Sequence, residues 1–173
     1  FCSLFEKLAL KVIKGKKEEK EADEFAILDE RFLLMPSFAV EKCRELVCDM
    51  AEVSNKSFEK ATSLLEKFTE ENFEEVQKLE GLVDKYEDKI STYLVKIAGH
   101  NMSSADSKVV TELLHCVGDI ERISDHALNI AEAAKEMYDK ELSFSDKAME
   151  ELTVFRKAVD DIMNSTVEVF TEN

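Results

Sequence analysis

The chain has 173 residues, 35% of them charged and 45% apolar, and a formal charge of −15. That length gives one domain a sizeable core, and the acidic balance excludes non-specific nucleic-acid binding, which needs a basic face. Four Gly, one Pro and no Trp, beside abundant Glu, Lys, Leu and Ala, point to a few long helices.

The first stretch is unlike the rest. Phe1, Leu4, Phe5, Leu8 and Val12 share one helical face, and Lys7, Lys11, Lys14, Lys16 and Lys17 make this the one basic part of an acidic chain. A basic amphipathic helix suits an anionic membrane surface or the cytoplasmic side of a membrane span; a docking helix of an ordinary bundle is the alternative. The chain begins with Phe1, which suggests a piece of a longer protein. Glu18 to Phe25 is a charge run read as a solvated linker. From Ala26 to Met35 the pattern has no clear period, and the residue before Pro36 is biased toward extended backbone, so an extended connector is expected. Residues 1–36 thus form a membrane-proximal segment and linker, and residues 37–173 the main domain.

Four helices are predicted in that domain. The first starts at Ser37 as N-cap, with a stripe of Cys43, Val47, Met50, Ser54, Phe58, Ala61, Leu65 and Phe68. The second starts near Asn72, with Glu75 completing a capping-box pattern; it buries Phe73, Val76, Leu79, Val83, Tyr86, Ile90, Tyr93 and Ile97 and stops at Gly99. The third is capped at Ser103 or Ser104, with Asp106 favouring the helix dipole, and its stripe runs through Val110, Leu113, Val117, Ile120, Ala127, Ala131, Ala134 and Tyr138. The fourth, capped by Ser145, buries Ala148, Leu152, Phe155, Val159, Ile162, Thr166 and Val169. Alternating spacings of three and four give near-heptad seams, and the short connections make neighbours antiparallel. The expected fold is all-α, an up-down bundle of about four long helices.

Four cysteines, Cys2, Cys43, Cys48 and Cys116, form no CxxC pair. Cys43 and Cys116 fall on apolar stripes and are read as buried structural thiols in a reducing cytosol. No stretch is long and apolar enough to cross a bilayer.

The acids are the candidate chemistry. Glu121 and Asp125 lie four apart on the third helix, and Glu80 and Asp84 repeat that spacing on the second. Residues at i and i+4 stack on one helix face, where like charges repel unless a cation sits between them. Both pairs lie at the edge of a core stripe, so antiparallel packing can bring them together. Carboxylate-only ligation favours hard cations such as Mg²⁺, Ca²⁺, Mn²⁺ or iron. The competing reading is a solvated acidic face, neutralised by Arg122 or a lysine. Gly118 and Ser124 are small enough to admit a close neighbour. Glu112 and His115 form one ExxH, whereas a di-iron carboxylate bundle needs two. No phosphate loop, nucleophile elbow or Cys–His pairing is present, so no enzymatic activity and no catalytic residue is expected.

ERISDHALNIAE, Glu121 to Glu132, closely resembles the hallmark segment of PhoU-like domains, and LEGLVDKYEDKI, Leu79 to Ile90, resembles the helix that precedes it in that family. The family's ExxxD metal motifs map onto Glu121 and Asp125 and onto Glu80 and Asp84. LDERFLLMPSFAVEKC, Leu28 to Cys43, is similar to the connector joining such domains to bacterial Na⁺/phosphate cotransporters, and Phe1 to Lys17 to the membrane-exit segment of those transporters. The resemblance implies one complete three-helix repeat plus the start of a second whose acidic motif is missing. It has Ser124 where the family has Gly. It further implies a regulatory, non-enzymatic domain on the cytoplasmic side of the cell membrane that modulates phosphate uptake and binds a divalent metal (Mg, Mn, Fe or Zn). Its partners would be the transmembrane part of the same transporter, further copies in a homo-oligomer and phosphate-signalling proteins. A metal-free dimerisation or interaction scaffold, and a di-iron bundle, are the alternative readings.

Overall fold

A computed structural model describes residues 25–171, with side chains as far as Glu168. The basic segment Phe1 to Lys17, the charged linker up to Glu24, Cys2 and the side chain of Val169 lie outside these residues. Within them the fold is all-helical: a short 3-10 helix, Glu30–Leu34, then α1 (Pro36–Leu64), α2 (Glu70–Ala98), α3 (Ser104–Asp139) and α4 (Asp146–Thr171). The expected up-down bundle is what forms. α1, α2 and α3 pack on one another pairwise, while α4 packs mainly along α1.

The connector between Ala26 and Met35 is not extended. Asp29 caps the 3-10 turn by accepting a hydrogen bond from the Arg31 backbone N–H at 2.8 Å. The segment then lies on the bundle: Phe25 meets the Tyr86 ring edge-on at 5.0 Å, Leu33 is buried, and the Tyr93 hydroxyl donates to the Asp29 carbonyl at 2.6 Å. Aperiodic apolar residues here mark a cap over the core.

Helix starts follow the local chemistry with two corrections. α1 begins at Pro36, whose fixed φ suits the first helical position, so Ser37 is inside the helix and not its N-cap. Its hydroxyl instead donates to Asp106 of α3 at 2.9 Å. α2 begins at Glu70, before the expected Asn72, because Thr69 is extended and its hydroxyl accepts from the Asn72 N–H. Glu75, expected to close a capping box, pairs with Lys56 at 3.2 Å and Lys60 at 2.9 Å across the α1–α2 groove. α2 does end before Gly99, but with φ −75, so the glycine's left-handed freedom is not used. Ser103 caps α3, accepting from the Asp106 N–H at 3.0 Å. Ser145 caps α4, accepting from the Ala148 N–H at 3.3 Å.

The stripes of α1, α2 and α3 form the core. It divides into a bulky cluster (Cys43, Met50, Tyr86, Ile90 and Leu94 among others) and an alanine-rich one holding Ala61, Ala127, Ala131 and Ala134 with Leu64, Phe73 and Val76. Leu79, Phe58, Leu65 and Phe68 are half-buried. Cys43 is fully buried, and that burial pushes its thiol up to about 12, which suits an inert structural role. Cys116, expected to be buried too, is only half-buried.

Tyr138 departs from its stripe. It is 62% exposed and stacks on Phe68 at 4.7 Å at the bundle's rim. The larger departure is α4. Phe155 and Ile162, expected in the core, are each 67% exposed, and Thr166 is exposed as well. A helix laid against a single neighbour can bury only one edge of its apolar face.

Candidate metal site

The site is built by the register of α2 against α3. These helices run antiparallel, so each step up one is matched by a step down the other. The Lys135 ammonium donates to Glu70 at 3.3 Å and sets the frame. Ten residues further along α2 is Glu80, and ten residues back along α3 is Asp125. One turn further on, Asp84 meets Glu121. Glu80, Asp84 and Asp125 each offer a carboxylate oxygen, and the three oxygens lie within 4.8 Å of one another. Glu121 adjoins them through Asp125 and Asp84. All four predicted acids thus occupy one strip of surface along the α2–α3 seam, three of them with converging oxygens.

The electrostatics agree with the geometry. Partial burial raises the Glu80 carboxyl above its usual range, and the nearby Asp84, Asp125, Glu121 and Glu132 push it further. Burial likewise raises Glu121, helped by the neighbouring Asp125, Asp84 and Glu87. Crowded carboxylates resist losing their last protons, and a cation relieves that repulsion. Oxygens within about 2.0–2.6 Å of one ion are at most roughly 5 Å apart, so the 4.8 Å cluster fits a single hard cation. Neutral nitrogen or thiolate donors are not part of this cluster, so the donor set matches Mg²⁺, Ca²⁺, Mn²⁺ or iron better than softer ions.

Glu87 and Glu132 extend the acidic strip. Each lies seven residues from a site acid (Glu80 and Asp125 respectively), two turns along the same face, and that spacing is visible in the sequence. Arg122 does not neutralise the site. It is exposed and leans toward Asp119 at 3.8 Å on its own helix. Glu112 pairs with Lys108 on the surface and His115 is exposed, so the lone ExxH faces solvent and not the core. His100 closes on the Lys96 carbonyl at 2.9 Å beyond the end of α2, and His126 is exposed.

The small residues near the acids act differently from each other. A Cβ at Gly118 would meet nothing within 4 Å, so Gly118 does not serve close approach. Ser124 does: it is fully buried, one residue from Asp125 but turned inward. With Ser54 and Ser57 of α1 it makes a buried polar group on the inner side of α3. Ser54 donates to the Ile120 carbonyl at 3.3 Å, a bond that so short a side chain can make only where two helices lie close.

Residues 47–134, which hold both acidic pairs, match the family described as the PhoU domain. The chain belongs to the PhoU family. A relative from Aquifex aeolicus (strain VF5), the phosphate-specific transport system accessory protein PhoU homolog, is 33% identical over 96 residues. That alignment covers 55% of this chain and 43% of the relative, so the PhoU-like chain spans less than half the relative's length. No solved structure matches the chain.

Proposed function

We propose that this PhoU-like bundle is the cytosolic regulatory domain of a sodium-dependent phosphate transporter. In this reading Glu80, Asp84, Glu121 and Asp125 bind a divalent cation, and occupancy modulates phosphate uptake. The convergence of three carboxylate oxygens from two helices within 4.8 Å carries the metal part of the reading. Family membership supports the regulatory part, and the Aquifex relative is by name an accessory protein of a phosphate-specific transport system. The cotransporter context rests on the likeness of Leu28 to Cys43 to the connector of such transporters, and on the basic stretch Phe1 to Lys17, which by the positive-inside rule suits the cytoplasmic side of a membrane. No helix among the described residues is long and apolar enough to cross a membrane; in this reading the membrane part belongs to the transporter partner.

The cation works by tying α2 to α3. A ligand shifts a conformational equilibrium only by its difference in affinity between the two states. Ligands split between two helices supply that difference: any slide or splay of α2 against α3 separates the oxygens and weakens binding. The role is regulatory and not catalytic. An interaction scaffold is the second reading, favoured by the exposed Phe155 and Ile162 on α4.

Metal content decides between them. The 173-residue chain is loaded with Mn²⁺ or Mg²⁺, desalted and assayed beside Asp125→Ala. The parent should retain metal and the variant lose it. Cation at about one hundred times its dissociation constant should also stabilise the parent by roughly 2.7 kcal/mol. Equal metal content in both proteins removes the site, and a melting temperature indifferent to cation and chelator favours the scaffold.

A further inference from the structure

The two ends of the bundle differ in charge. α1 begins, α2 ends and α3 begins at one end, where Ser37 donates to Asp106 at 2.9 Å and Lys96 to Glu30 at 2.7 Å. Two runs of nine residues without a formal charge, Phe32 to Val40 and Ile97 to Ala105, both lie at this end of a chain that is 35% charged. Residues 25–42 and 96–108, which build the end, hold four acidic and four basic residues and are formally neutral. Residues 64–72 and 132–150, at the opposite end, hold nine acidic and four basic residues.

The neutral end also carries an apolar tip. Leu34 and Met35 make the turn from the 3-10 helix into α1 and are 82% and 55% exposed. Phe38, one turn on, is 38% exposed, its ring braced edge-on against Phe32 at 4.8 Å. Leu33 is buried beneath the turn, and Asp29 caps the 3-10 helix, so the tip stands on a fixed base.

We propose that this end is a lipid-contact surface, on which Leu34 and Met35 enter the boundary between headgroups and acyl chains while the acidic end faces away from the bilayer. Charge selects the end: an anionic leaflet repels the acidic remainder of the bundle but not a neutral tip. Area selects lipid over a protein. At about 200 Å² for a fully exposed large side chain, Leu34, Met35 and Phe38 together expose roughly 350 Å². That is a functional-sized patch, but less than half of the roughly 800 Å² that each partner of a stable complex buries. A fluid interface takes up apolar side chains without a matching shape. The inference rests on the membrane-side placement proposed above, and not on whether the acids bind a metal.

The chain lacks Trp, so Leu34→Trp in the full 173-residue protein places one indole on the tip. With vesicles of phosphatidylcholine and phosphatidylglycerol its emission should shift to the blue, and bromine atoms on the acyl chains should quench it severalfold. Tyr138→Trp, which puts the indole at the acidic end, should show neither change in the same vesicles. Met35→Glu added to Leu34→Trp should remove most of the quenching while circular dichroism stays unchanged. A Leu34→Trp chain that sediments with the vesicles while its indole stays in water overturns the lipid contact alone, and leaves the membrane-side placement to Phe1 to Lys17. A chain that does not sediment overturns both. Equal quenching at positions 34 and 138 overturns the orientation. An indole shielded without vesicles, and more so at higher protein concentration, overturns the inference in favour of a second copy.

Discussion

The two halves of the α1–α3 core solve the same packing problem with different side chains. One half is filled by Met50, Tyr86, Ile90, Leu94 and Ile97, and the other largely by Ala61, Ala127, Ala131 and Ala134. Large residues hold helices apart and fill the space between them; alanines let helices close until little remains to fill. Between the halves lies a layer of different character. Ser54, Ser57 and Ser124 are buried there, and on the α2–α3 flank at the same height stand Glu80, Asp84, Glu121 and Asp125. The Ser57 and Ser124 hydroxyls make no hydrogen bond, a cost of about 1–3 kcal/mol for each such group. These two unpaired hydroxyls lie in the layer that the acids flank, and an ion binding to the acids would act on that layer.

The bulky half gives the largest expected effect. Ile90 is fully buried within it. Ile90→Ala removes buried methylenes and leaves a cavity, so stability should fall by about 2–5 kcal/mol, read from urea unfolding. A loss below about 1 kcal/mol would mean that this half collapses freely, and the contrast with the alanine half would fail.

The alanine half should respond to the opposite change. Ala131 is fully buried, and the Ser54–Ile120 bond, about three turns away along α3, holds α1 close to α3. Ala131→Leu forces the two helices apart and should cost about 1–3 kcal/mol. The same urea titration measures it. A stabilised variant would show unfilled space there and remove the distinction between the halves.

A periodic pattern encodes which face of a helix is apolar, and that much of the fold was legible. Spacing assigned Val47, Met50, Val83, Ile90, Val117 and Ala131 to the core, where they are. Whether a neighbour covers that face is not in the period, which is why Phe155, Ile162 and Tyr138 were placed inside and lie outside. Capping was legible where the side chain was free to bond the backbone, at Ser103 and Ser145. It misled at Ser37, where Pro36 had already fixed the first turn, and at Asn72, where Thr69 capped first. The acid pairs were legible as i, i+4 spacings, but their meeting across the seam needed a register, and Glu70 with Lys135 supplies it. The inward turn of Ser124 depends on how closely α1 approaches α3, which no local pattern carries.

The smallest expected effect lies in the layer between the halves and turns on pH. Glu80 and Glu121 have carboxyls raised above their ordinary range by burial and by the neighbouring acids. For a raised carboxyl, the folded state binds the proton more tightly than the unfolded chain. Its contribution to stability is therefore full at pH below the unfolded value near 4.5 and is lost as pH rises through the folded value. Glu80→Gln removes one such group and its repulsion of Asp84 and Asp125 while keeping its shape. In metal-free protein the variant should match the parent near pH 4 and become progressively the more stable of the two toward pH 7, in thermal melts run side by side. With cation present the order at pH 7 should reverse, because the parent gains a ligand that the amide binds poorly. A variant that tracks the parent at every pH, with and without cation, would show that the strip is ordinary solvated surface, and the layer between the two core halves would then be weak packing without a regulatory use.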